Sequence, residues 1–299
     1  LAERVNGEIV SADSVQVYLG MDIGSAKPTL EERRGIPHHM LDCVPIDTPE
    51  FSVSQYRKMA SEAIEDILER GKTPIVVGGS GLYVNALTFP LGFAVPKDEE
   101  ARKRMEALYD LDANAAFARL ALIDPEIASR LHPNDRKRVV RALEVFECSG
   151  KPLSSYGNDF QNTACGSAPF DPLLFGLDMD RELLYRRIDQ RVDLMIEHGL
   201  LAEARNIYDR GYSRSLPAMQ SIGYRQLFEV FDGKSTLEHA VEQIKLDTRH
   251  FAKRQLTWFR RDKRIRWSDA SDFETIKEEL TQRSADLTMR WMDEKELFE

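Results

Sequence analysis

Thr73-Pro74-Ile75-Val76-Val77-Gly78-Gly79-Ser80-Gly81 is the stretch whose reading decides the fold. A short β-branched run that closes on a glycine cluster reads as a buried strand entering a tight turn. Immediately upstream, Ser54 to Arg70 repeats apolar residues at helical spacing (Tyr56, Met59, Ala60, Ala63, Ile64, Ile67, Leu68), with Ser52 or Ser54 as N-cap and Gly71 as C-cap. Further upstream, Glu8-Ile9-Val10-Ser11-Ala12 is another apolar run, ending in polar Asp13-Ser14. Strand, helix and strand joined by short connections require parallel strands, and hence an α/β sheet.

The texture changes after Pro96. From Asp98 to about Gly150 successive helices are separated by Asp/Pro signals at Asp110 to Asp112, Asp124-Pro125 and His132-Pro133-Asn134-Asp135, with no strand-like run. Residues 97–162 therefore read as a helical insertion into a discontinuous α/β core formed by residues 1–96 and 163–299. The segment 151–170, rich in Ser, Gly, Asn, Thr and Pro, is the return linker. Leu173 to Met179 resumes the strand pattern, and long helices follow at Arg181 to His198, Leu201 to Gly211 and Leu237 to Arg261. Ile265 to Ser268 reads as the last strand, and residues 271–299 as a helical tail.

Composition bounds the function. Of 299 residues, 42% are hydrophobic and 30% charged, which suits a globular chain with a sizeable core and excludes a disordered or collagen-like one. No apolar run approaches the length of a membrane-spanning helix, and Leu1-Ala2-Glu3-Arg4 has neither the basic nor the apolar part of a signal peptide. Three scattered cysteines (Cys43, Cys148, Cys165) support neither a disulfide framework nor a zinc module, so a reducing cytoplasmic setting is expected; nothing in the sequence suggests more than a monomer. The formal charge of -9 argues weakly against a nucleic-acid partner. Local charge argues the other way: Arg249 to Arg266 holds eight Lys/Arg and one acid, and Arg130 to Arg141 five and one. Phe251, Trp258, Phe259 and Trp267 interleave with the first of these clusters, which favours RNA over a merely solvated helix face.

Polar groups collect at strand ends, where open parallel sheets bind ligands. Asp13 is a candidate base there. Ser80 is a candidate donor to an anion, on a backbone that glycines free to approach a phosphate. A cap for Asp13 and a plain tight turn for the glycines account for the same residues.

Five ordered blocks then carry a resemblance. They are Ser11 to Tyr18 with Gly20-Met21-Asp22-Ile23-Gly24-Ser25-Ala26-Lys27-Pro28, Val76 to Tyr83, and His132-Pro133-Asn134-Asp135 with Arg138 and Arg141. The others are Met219 to Gln226 and Lys253 to Arg260. From Leu1 to about Trp267 the chain resembles the tRNA dimethylallyltransferases, also called tRNA isopentenyltransferases. The resemblance implies a P-loop nucleotide-kinase-like parallel sheet core with an inserted all-helical domain. It implies transfer of a dimethylallyl group from dimethylallyl diphosphate to the exocyclic amine of the adenine 3′ of the anticodon, in tRNAs reading codons that begin with U. The implied partners are the tRNA anticodon stem-loop and dimethylallyl diphosphate, and the implied cofactor is Mg2+.

By that resemblance Asp13 is the catalytic aspartate, which takes a hydrogen bond or proton from an adenine amine whose lone pair is delocalised. Ser80 contacts the diphosphate, and Arg191, in Arg187-Ile188-Asp189-Gln190-Arg191, stabilises its growing charge. Without the resemblance, Arg191 reads as half of an i,i+4 pair on an exposed helix. The tRNA-contacting set falls on Asp13, Ser14, Val15, Gln16, Arg102, Lys137, Arg138 and Arg141, then on Gln220, Gly223, Tyr224 and Arg225, and on Lys253, Arg254, Gln255, Trp258 and Arg260. The amides of Gln16, Gln220 and Gln255 suit base edges, and the arginines suit phosphates. Trp258 reads first as helix packing and second as a base-stacking surface.

The family's Gly-x-x-x-x-Gly-Lys-Thr/Ser loop occurs nowhere in these 299 residues, so a truncated sequence is expected, with weakened diphosphate affinity in the polypeptide as it stands. No Cys follows Cys165, so a C-terminal zinc finger is not expected and the bacterial type is. Two other functions fit parts of the sequence: an adenylate isopentenyltransferase, which needs neither the helical insertion nor the basic helix, and a non-catalytic tRNA-binding protein.

Overall fold

The structure is a computed structural model and describes residues 1–89, 98–156, 170, 172–270 and positions 274, 277, 278, 280 and 281. In chain order the elements are β1 (Gly7–Ser11), α1 (Leu30–Arg33), β2 (His38–His39), α2 (Val53–Glu69), β3 (Thr73–Val77), α3 (Gly81–Thr88), α4 (Glu99–Leu111), α5 (Ala113–Ile123), α6 (Pro125–Ala128), α7 (Arg136–Ser149), β4 (Phe175–Asp178), α8 (Arg181–Glu197), α9 (Leu200–Asp209), α10 (Tyr224–Phe231), α11 (Leu237–Phe259) and β5 (Arg266–Asp269). The chain divides into two compact units, Leu1–Thr88 with Phe170–Glu299, and Phe89–Pro169. The expected boundaries at 96/97 and 162/163, most of the 151–170 linker and most of the expected tail beyond 271 lie outside the described residues.

In the larger unit three parallel strands run in the order β2-β1-β3, with Ile9 opposite Ile75 and Ser11 opposite Val77. A second, two-stranded parallel sheet pairs β4 with β5. The α/β class with parallel strands follows from local signals. Ser52 accepts from the Gln55 N–H at 3.2 Å and the Gln55 side chain returns to the Ser52 N–H at 2.8 Å, a reciprocal cap that starts α2. Tyr56, Ala60, Ile64, Ile67 and Leu68 then bury one stripe of that helix, and Gly71 at φ 65° turns the chain into β3. β1 is buried on both faces, as a central parallel strand must be.

β3 departs from the expected buried strand. Val76 and Val77 are 39% and 53% exposed, because among the described residues β3 forms the open edge of its sheet. The two residues of β2 carry no periodicity, and sequence reasoning missed them along with α1 and α10. The smaller unit holds α4 to α7 around Met105, Ala116, Leu120, Val139, Val140 and Leu143, and no strand among the described residues. No helix of the described residues is long and apolar enough to cross a membrane.

Opposite the polar strand ends, Glu8 is only 2% exposed within β1. It takes both guanidinium nitrogens of Arg70, Lys72 at 2.7 Å and the His39 ring at 2.8 Å. The Arg70 guanidinium holds the Glu8 carboxyl far below its ordinary value of 4.5; Lys72 and His39 add to this, and burial opposes it. A carboxylate lowered in the folded state stabilises the fold above its unfolded value and loses that contribution as pH falls toward the folded one. Glu8→Gln is therefore expected to cost about 1–3 kcal/mol at neutral pH. The gap to wild type should shrink steadily as the medium is acidified below pH 4.5. Urea denaturation across that range measures it, and a constant gap contradicts the assignment.

Candidate active site at the strand ends

The carboxyl ends of β1 and β3 bring two distant segments together. The Ala12 N–H donates to Val77 O at 2.8 Å, and the Ser80 N–H returns to Ala12 O at 3.0 Å. Between them sits Gly78, where a Cβ would overlap the Ala12 carbonyl. Ser80 Oγ accepts from the Ser14 N–H at 2.9 Å and donates to Ser14 Oγ at 3.1 Å, which sets Asp13 beside Ser80. Asp13 Oδ1 accepts from the N–H groups of Val15 at 2.7 Å and Gln16 at 3.1 Å. The capping role and the functional one are thus compatible: one oxygen caps the turn, and Oδ2 takes part in neither bond. Beneath, Tyr56 donates to Ser11 O at 3.0 Å and stacks on Tyr83 with centroids 3.8 Å apart. Burial pushes both phenols far above their ordinary value, so they remain neutral supports.

The turn after Asp13 is braced from behind. Gln16 accepts the Ser11 hydroxyl at 2.9 Å and donates its amide hydrogens to Ser25 O and Ala26 O at 3.2 and 3.3 Å. Lys27, its side chain 3% exposed, reaches Tyr18 O, Asp22 and Asp42, fixing the same loop. Glu203, from the first turn of α9, accepts the N–H groups of Asp22, Ile23 and Gly24 at 2.9–3.1 Å and the Tyr224 hydroxyl at 2.6 Å. Nothing in the sequence pattern marks Glu203; its partners lie far away along the chain.

The family model described as IPP transferase matches residues 16–262. The tRNA dimethylallyltransferase of Pelotomaculum thermopropionicum is 48% identical over 284 residues, covering 94% of this chain and 89% of that one. Among solved structures, the full-length tRNA isopentenylpyrophosphate transferase of Bacillus halodurans is 40% identical, covers 99% of this chain and 92% of its own, and superposes with a TM-score of 0.68. A eukaryotic dimethylallyltransferase acting on tRNA is 32% identical, with 98% and 75% covered and a TM-score of 0.78. The chain belongs to the IPP transferase family.

Within this IPP transferase the glycines after β3 serve packing. The space a Cβ would take at Gly79 is filled by the Gln255 amide, and that at Gly81 by the Trp258 indole. The half-buried Trp258 thus packs on the turn, and Gln255 donates to Gly79 O at 3.1 Å. Gln220 likewise donates to Arg214 O. With Gln16, all three glutamine amides expected to read base edges have partners inside the chain. For the half-buried Gln16 and Gln255, leaving such bonds unmade would be costly; Gln220 is exposed.

Two members of the expected tRNA-contacting set are corrected outright. Tyr224 is 0% exposed, its ring packed against Gly24 and its hydroxyl on Glu203. Gly223 is buried too, at φ 95°, a backbone conformation that favours glycine. Both build the core under the loop. Their neighbour Arg225 is exposed and paired with Asp247.

Arg191 is exposed on α8 with no hydrogen bond or ion pair among the described residues, so the i,i+4 pair is not formed. Asp189 and Asp193 of the same helix hold α11 through Arg249 at 2.7 Å and Lys245 at 2.8 Å. Along α11, Lys253 and Arg254 are exposed, with the Arg254 guanidinium 5.8 Å from the Phe251 ring. Beyond the helix, Arg260 pairs with Asp178 at 2.8 Å. In the helical unit, Arg141 and Arg102 flank the fully buried Glu144 at 2.7 and 3.6 Å, Arg138 pairs with Asp135, and Lys137 is exposed.

Among the described residues no three His, Cys, Asp or Glu side chains are grouped so as to hold a metal ion. The oxygens at the strand ends are one carboxylate, Asp13, and two hydroxyls, Ser14 and Ser80. That set suits a Mg2+ ion carried mainly by substrate phosphate and water.

Proposed function

We propose that this chain is a tRNA dimethylallyltransferase that uses Asp13 to orient the attacking amine. The observation that carries the reading is the Asp13 carboxylate at the end of β1, with Oδ1 fixed by two backbone N–H groups and Oδ2 outside those bonds, in a chain of the IPP transferase family. The exocyclic amine of the adenine 3′ of the anticodon attacks C1 of the dimethylallyl group. A C–N bond forms, the C–O bond to diphosphate breaks, and the amine proton passes to Asp13 Oδ2. Ser80 Oγ turns from Ser14 to the departing diphosphate, and Arg191 adds its charge as negative charge develops there. Mg2+, when bound, neutralises diphosphate, with Ser80 and Ser14 as the nearby hydroxyls. Flipping the adenine out of the anticodon loop gives Asp13 access to its edge.

In this reading each unit contributes its own cations to tRNA binding: in the larger unit the exposed Lys253, Arg254, Arg260 and Arg225, and in the helical unit the exposed Lys137 and Arg138 with the half-buried Arg141 and Arg102. Ser14 and Val15 flank the reacting base. The test is direct: incubate unmodified tRNA with the protein, dimethylallyl diphosphate and Mg2+, and look for isopentenyladenosine 3′ of the anticodon by mass spectrometry. Prenylation of free adenylate alone would instead support the nucleotide-modifying relative.

Arg254 offers a second measurement. Arg254→Ala is expected to weaken tRNA binding and to lower the slope of log K against log salt by about one unit, because one phosphate contact fewer releases one counterion fewer. KM for dimethylallyl diphosphate should stay constant. A raised donor KM moves Arg254 into the diphosphate site.

A further inference from the structure

Asp13 is short and sits on a turn, so its carboxylate points wherever the turn points it. Two N–H groups, from Val15 and Gln16, hold Oδ1. Gln16 is the better anchored of the two. Its carbonyl oxygen takes the Ser11 hydroxyl, which is 3% exposed on β1, and its amide hydrogens go to Ser25 O and Ala26 O. Both donors of the amide are thereby used. The loop that supplies those carbonyls is clamped in turn by Glu203, whose carboxylate gathers three successive N–H groups and the Tyr224 hydroxyl. One continuous chain of hydrogen bonds therefore runs from α9 through the Asp22–Ala26 loop and Gln16 to the carboxylate at the strand end.

We propose that Gln16 is a positioning residue for Asp13, spanning β1 and the Asp22–Ala26 loop to fix the direction of the carboxylate, and that it does not read a base edge. The proposal rests on Asp13 as the acceptor of the amine proton. An acceptor must be held to within about 0.5 Å of its productive place, and a misplacement of about 1 Å costs roughly 10²-fold in rate. Both amide hydrogens are directed inward and Oε1 takes the Ser11 hydroxyl, so all the hydrogen bonds of this amide in the structure are made to the fold.

Gln16→Met keeps the length of the side chain and removes all three tethers. Ser11→Ala removes one. Gln16→Met is expected to lower kcat by roughly 10–10²-fold with tRNA Kd unchanged, and Ser11→Ala to lower it less, in the same direction. In the Asp13→Ala background Gln16→Met should have no further effect, because it acts through the carboxylate that is gone. Thermal melts establish that Gln16→Met folds; if it does not, the Ser11→Ala and Asp13→Ala cycle gives the same answer. An unchanged kcat with weakened tRNA binding makes Gln16 a base reader and overturns the proposal. So do losses that add in the double variant while Asp13→Ala alone is slow. Near wild-type turnover by Asp13→Ala is a different failure: it removes the acceptor itself, and the positioning role with it.

Discussion

Asp13→Ala is expected to lower kcat by roughly 10²–10⁴-fold, the range for loss of a positioned acid–base group, and to leave tRNA affinity nearly intact. The direction follows from what the side chain does at the end of β1. Oδ1 is committed to the N–H groups of Val15 and Gln16, at 2.7 and 3.1 Å, so part of the loss comes from loosening the turn. Asp13→Asn separates the two contributions. Its carbonyl can still cap the turn, but a neutral amide cannot take up the amine proton. Turnover of Asp13→Asn should therefore lie close to that of Asp13→Ala. If Asp13→Asn instead keeps most of the activity, the carboxylate matters as a cap, and the proton leaves by another route. Steady-state kinetics with tRNA saturating, alongside a gel-shift Kd, decides the matter.

Tyr224→Ala carries the largest expected effect on stability, about 3–5 kcal/mol, as for other fully buried aromatic side chains cut back to a methyl group. The side chain is 0% exposed, packs on Gly24, and donates to Glu203 at 2.6 Å. Burial pushes its hydroxyl far above the ordinary value for a phenol, with the Glu203 carboxylate adding to the shift, so it stays a donor across the accessible pH range. Tyr224→Phe keeps the ring and loses only that bond to a carboxylate, for about 1.5–3 kcal/mol. Urea unfolding of the two variants measures both figures. A surface residue that merely touched tRNA would change stability by less than about 0.5 kcal/mol, so a small loss in Tyr224→Ala would restore the recognition role taken from sequence.

Local chemistry made the strand, helix and strand of the core legible. The periodic stripe of α2, its Ser52 cap and the Gly71 turn are each written within a few consecutive residues. The same holds for Asp13 and Ser80, which stand at strand ends where parallel sheets collect their ligands. What escaped was set by partners remote in sequence. Nothing near Gln16 says that Ser25 and Ala26 will present their carbonyls to it, and nothing near Glu203 says that three N–H groups will converge on it. Met219 to Gln226 resembles a recognition block, yet Gly223 and Tyr224 within it lie in the core. A residue can be indispensable to a surface by building what lies under it. β2 was invisible because a two-residue strand has no period to detect.

The fit of α11 against the turn after β3 has a mechanical consequence. With Gln255 and Trp258 occupying the places of two missing side chains at Gly79 and Gly81, helix and turn have no slack between them. Ser80 lies between those two glycines. A displacement of the helix is therefore transmitted to Ser80 through rigid contact, and a displacement of Ser80 is transmitted back. Thermodynamic reciprocity constrains what such a contact can do: a ligand on the cationic face of α11 that changed the affinity at Ser80 by some factor would have its own affinity changed by that same factor when Ser80 is occupied. Packing of this kind is what would let two ligands sense each other's arrival before any bond between them is made.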